Sequence, residues 1–117
     1  MRATTVNPLA LITDQHATAA ADADVVITLA AVEDVCHVLA RVSASYSETP
    51  TGGALTVACG GTTIFEVDIP GVDWERNFYS DCKNPGLHHA QAPNEEMVIT
   101  LHGAGATCVG KLNVGTL

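Results

Sequence analysis

From Val25 onward, apolar and polar residues alternate with a period of two over most of the chain, the spacing of strands buried on one face and wet on the other. Val38, Ala40, Val42, Ala44 and Tyr46 fall on one side of a long run, and His37, Leu39, Arg41, Ser43 and Ser45 on the other. Met97, Ile99 and Leu101 alternate in the same way with Val98, Thr100 and His102. Two shorter runs favour strands: Ala54 to Ala58 is rich in Leu and Val, and Thr62 to Asp68 is dominated by β-branched and aromatic residues. Gly60 and Gly61 follow Cys59 between them, and adjacent glycines supply the positive φ angles of a primed hairpin turn. The pair is therefore predicted to be an antiparallel hairpin.

Further turns complete the expected layout. Pro50, Thr51, Gly52 and Gly53 mark a turn that predicts the segment ending at Tyr46 folding back onto Ala54 to Ala58 as a meander. Val25 to Leu29 is the first core strand, and a short charged strand is expected around Trp74, Phe78 and Tyr79. Glu96 to His102 and Thr107 to Val114 are expected to form a last hairpin about Gly103, Ala104 and Gly105. Val38, Val42, Leu55, Val57, Ile64, Val67, Ile99 and Leu112 are the expected core. Seven or eight short antiparallel strands with turn signals between them predict an all-β fold, an antiparallel β-sandwich of jelly-roll type.

The first 24 residues break the pattern, with neither sustained alternation nor a helical stripe. They read as an extended N-terminal arm, residues 1–24, preceding a sandwich domain, residues 25–117. Val6, Leu9, Leu11 and Ile12 give the arm something to bury, and its order is expected to depend on a partner.

Composition narrows the function. At 117 residues the chain is one domain with a single core. Aromatics are 4% against 47% apolar residues overall, so Val, Ile, Leu and Ala must build that core. Thirteen acidic residues against five Lys plus Arg, a net charge of −8, argue against nucleic acid or an anionic membrane as partner. No apolar run before Thr13 and Asp14 is long enough for a signal core, and none later reaches transmembrane length. Cys36, Cys59, Cys82 and Cys108 are accordingly expected to be reduced.

Candidate chemistry is sparse. His88 and His89 sit near Asp81 and Cys82 in the long segment from Ser80 to Asn94, but zinc ligands come in close pairs within two clusters, and adjacent residues of an extended segment point apart. Cys36 and His37 likewise face opposite sides of a strand. Asp68 with Asp73 and Glu95 with Glu96 read as solvated charges at strand ends. No phosphate loop, nucleophile elbow or calcium loop is present. The expectation is no catalytic residue, no metal site and no cofactor. Trp74, Tyr79, His88 and His89 remain as a surface-loop candidate.

The succession ASYSETPTGGALTV, GGTTIFEVDI, NEEMVITL and VGKLNVGTL, from Val35 to Leu117, resembles the small β-sandwich structural proteins of tailed bacteriophages, several of which are capsid decoration or cement proteins. The resemblance implies a non-enzymatic virion protein assembled in the host cytoplasm, bound to the major capsid protein on the shell surface. It also implies a homo-oligomer, with a trimer favoured. The segment from Trp74 to His89 has no counterpart in it. The alternative is a tail or fibre module binding host carbohydrate, with Trp74 and Tyr79 as a sugar platform. A cytosolic metal-binding or thiol enzyme ranks last.

Overall fold

The computed structural model describes residues 13–34, 37–77 and 94–116. These form eight strands: β1 Thr13–Thr18, β2 Val25–Leu29, β3 Leu39–Tyr46, β4 Ala54–Cys59, β5 Thr62–Asp68, β6 Asp73–Asn77, β7 Met97–Leu101 and β8 Gly110–Thr116. They make two four-stranded sheets, β1-β8-β3-β6 and β2-β7-β4-β5, in which every neighbouring pair is antiparallel. Among the described strands, only β4 and β5 are consecutive in the chain and in the same sheet; every other consecutive pair is divided between the two sheets. Eight strands wrapped in this way are a jelly roll.

The Cys59–Gly60–Gly61 turn forms as its residues demand, with φ of 56° at Gly60 and 84° at Gly61. Two expected pairings are corrected. β3 does not meet β4, because β8 and β6 occupy both its edges. The last two strands are not a hairpin either, since β7 lies between β2 and β4, and β8 between β1 and β3. Hydrogen bonds between the crossing loops hold this arrangement. Ser47 N–H donates to the Val109 carbonyl, Thr51 N–H to that of Ala104 and Asp22 N–H to that of Cys108. The β3–β4 loop is thus tied to the β7–β8 loop, and β3 stays beside β8.

The expected arm also contains a strand. β1 runs along the whole of β8, from Thr13 opposite Thr116 to Thr18 opposite Lys111, so the sandwich takes in residues from Thr13 onward. Val6, Leu9, Leu11 and Ile12 lie outside the described residues.

Inward side chains of both sheets fill one core. Val42, Leu55, Val57, Ile99 and Leu112 are fully buried as expected, whereas Val38, Ile64 and Val67 are only partly so. β5 is an edge strand, and a bulge between Val57 and Ala58 shifts its register. A second bulge between Leu39 and Arg41 turns Leu39 inward beside Ala40, so both are buried where alternation placed Leu39 outside.

Tyr46 closes one end of the core. Its hydroxyl donates to the His102 carbonyl at 2.8 Å. Burial pushes the phenol from 10.0 up to about 12, with Cys108 and Asp24 adding to the shift. Unfolded chains lose this proton near pH 10 and the folded chain keeps it, so the contribution is complete below pH 10 and is lost as the pH rises to about 12. Tyr46→Phe, which leaves the His102 carbonyl unpaired, is expected to cost about 1 to 2 kcal/mol at pH 7. That gap should close between pH 10 and 12 in urea titrations; a constant gap would show that the phenol titrates alike in both states.

Candidate functional site

The outer face of the β1-β8-β3-β6 sheet gathers polar side chains that are scattered in sequence. Register sets His16, Asn113, Ser43 and Glu75 side by side across four strands, with Thr18, Lys111, Ser45 and Asp73 in the next row. Strands lie about 4.8 Å apart, so each row presents one polar group about every 5 Å. In the row toward Thr13, Asp14 and Arg41 flank Gly115 on the central strand. Gly115 has no side chain to hold them apart, and the Arg41 guanidinium reaches across it to Asp14 at 2.5 Å.

This pair walls one end of a shallow trough of about 340 Å³, floored by Ser43 and Asn113 and bounded by His16 and Glu75. An adjoining hollow of about 490 Å³ shares Ser43, Glu75 and Asn113 and extends to Ala44, Ser45, Asp73 and Trp74. The face carries three carboxylates, Asp14, Asp73 and Glu75, against Arg41 and Lys111. Because Arg41 is already paired, an anionic ligand finds little free positive charge there. The walls offer carboxylate acceptors, the Lys111 donor, and groups that do both in Ser43, Ser45, Asn113 and Thr18. Such a surface suits a ligand rich in hydroxyls.

Most residues singled out in the sequence are elsewhere. Trp74 is half-buried and turned inward, its ring 6.5 Å from that of Phe65, while the Arg76 guanidinium lies 5.7 Å from the Phe65 ring centre. The indole therefore closes the β5–β6 edge of the sandwich instead of lying flat on a face. Tyr79, His88 and His89 lie outside the described residues, as do Cys36 and Cys82. Cys59 and Cys108 are buried free thiols. Burial, with the Glu95 charge beside it, pushes the Cys59 thiol up, which makes it a poorer nucleophile. His37 donates its Nε2–H to the Ala30 carbonyl at 2.7 Å. Among the described residues no three His, Cys, Asp or Glu side chains stand close enough to share a metal ion, and no helix is long and apolar enough to cross a membrane.

Asn113, Ser43, Glu75 and His16 escape sequence reasoning because each is a lone polar residue on its own strand. The alternation of β3 does place Ser43 outside, but nothing local joins it to the other three.

No protein-family model matches the chain, and no curated protein matches it. Among solved structures it is similar to a CBM4 module, at 16% identity over 87% of this chain and 81% of that one, with a TM-score of 0.42. It is also similar to a carbohydrate-binding module, CBM36, solved with calcium and xylotriose, at 14% identity over 85% and 75%, TM-score 0.41. A ruminal GH26 endo-β-1,4-mannanase aligns at 8% identity over 81% of this chain and 18% of its own, TM-score 0.42. At these identities and superpositions the likeness assigns neither a family nor a ligand.

Proposed function

We propose that this chain is a non-catalytic carbohydrate-binding module, and that the polar trough on the outer face of the β1-β8-β3-β6 sheet holds the glycan. The observation that carries the reading is the row of His16, Asn113, Ser43 and Glu75, an open line of donors and acceptors across four strands. Hydroxyl groups both donate and accept, so a neutral glycan can satisfy such a row, whereas an apolar ligand would leave it unpaired. The surplus of carboxylates turns away polyanions. Trp74 borders the adjoining hollow but is packed against the core and the Phe65 ring, so hydrogen bonds along the polar row supply most of the affinity.

Screening the chain against an array of soluble glycans and titrating the hits by calorimetry tests the reading. Asn113→Ala and Glu75→Ala are each expected to weaken binding about tenfold, the equivalent of about 1.4 kcal/mol, without moving the thermal midpoint, because both side chains are exposed. Glycan binding that survives both changes overturns the assignment to this face. A chain that ignores every glycan but coats isolated phage shells would instead be the decoration protein of the phage resemblance, since jelly rolls serve capsids and lectins alike.

A further inference from the structure

The four sheet edges are guarded unequally. β5 carries Glu66 and Asp68, β6 carries Asp73, Glu75 and Arg76, and β1 carries Asp14. β2, with the sequence VVITL, carries no charge. Its inward residues Val25, Ile27 and Leu29 are buried in the core, while outward Val26 stays 49% exposed. β7 takes one side of β2, and among the described residues no strand takes the other. An open edge presents unpaired N–H and C=O groups to any extended chain, and charges are the usual means of keeping a second strand away.

We propose that two copies of this chain join along β2, antiparallel about a two-fold axis, so that two β2-β7-β4-β5 sheets become one of eight strands. The charge pattern selects a second copy as the occupant. Each chain carries a net −8; acids stand on the β5 and β6 edges and an Asp14–Arg41 ion pair on β1, whereas a ladder along β2 sets no charged side chains against each other. A two-fold axis sets the strand against itself. With all five residues paired, Ile27 lies at the axis and outward Val26 of each copy stands opposite Thr28 of the other, and β-branched cross-strand neighbours favour pairing. Val32, also 49% exposed just beyond the strand, continues the apolar border. A ladder of five residues buries less than a standard interface, so the dimer forms and dissociates with concentration. The contact lies on the sheet opposite the polar trough and leaves both troughs open.

Sedimentation of the full chain over a concentration series is the test. The expected mass rises from 12.1 kDa to twice that value. Val26→Lys, which places a charge on an edge strand that carries none, should abolish the rise; Thr28→Lys should do the same. Thr63→Lys, on exposed β5 at the far edge, should leave it unchanged. Val26 and Thr28 point outward, so both variants should keep the β-sheet circular-dichroism spectrum and a cooperative unfolding transition. A monomer at every concentration overturns the proposal. So does a trimer, because self-pairing of one edge about a two-fold joins only two copies. A dimer that survives Val26→Lys but dissolves with Thr63→Lys would also overturn it.

Discussion

Gly103→Ala is expected to lower the stability of this chain by about 3 kcal/mol or more. A carbon placed on Gly103 would stand 2.4 Å from the Asp22 carbonyl oxygen and 2.7 Å from its carbon. Both contacts are with backbone, which cannot swing aside as a side chain can. The turn it would strike is also fixed. Asp22 N–H donates to the Cys108 carbonyl at 3.0 Å, Gly103 N–H to Asp24 Oδ1 at 2.9 Å, and Gly105 N–H to Asp22 Oδ1 at 3.1 Å. Relief of the clash must pull the β1–β2 turn off the β7–β8 loop and break at least one of these bonds, each worth about 1 kcal/mol or more. Gly71→Ala is the control, because an added carbon there meets nothing within 4 Å, and it should change stability by less than about 0.5 kcal/mol. Equal urea midpoints for the two variants would mean that the two loops do not touch in this way.

That contact explains why the strand order was hidden in the sequence. Alternation tells which face of a strand is buried, and it did so for Val42, Ala44, Tyr46, Met97, Ile99 and Leu101. It does not tell which strand lies next door. Gly103, Ala104 and Gly105 look like the turn of a hairpin, yet the same residues serve a crossing between sheets, where Gly103 is needed for close approach to another loop. The β4–β5 hairpin was legible because Gly60 and Gly61 encode the turn locally. β1 was not, because its inward residues are Gln15 and Ala17 at a sheet margin, and neither gives an apolar signal. The trough follows the same logic: its four central residues come from four strands and become neighbours only once β1, β8, β3 and β6 are in order.

Leu112→Ala should cost about 3 to 5 kcal/mol, near the upper end for a buried leucine. Leu112 is fully buried at 0% exposure and sits on β8, with a strand on either side. Its cross-strand neighbours are Ala17 on β1 and Ala44 on β3. Alanines cannot extend into the space that a lost isobutyl group leaves, and both strands are held in register by their ladders, so the cavity stays open. The cost of such a deletion grows with the cavity that survives. Val67→Ala is the informative contrast. Val67 is only partly buried on the edge strand β5, where solvent and neighbouring side chains can take up the space, and its loss should cost about 1 kcal/mol. Guanidinium unfolding of the two variants should show well-separated midpoints at a common slope. Equal shifts would place Leu112 somewhere other than the closed centre of the sandwich.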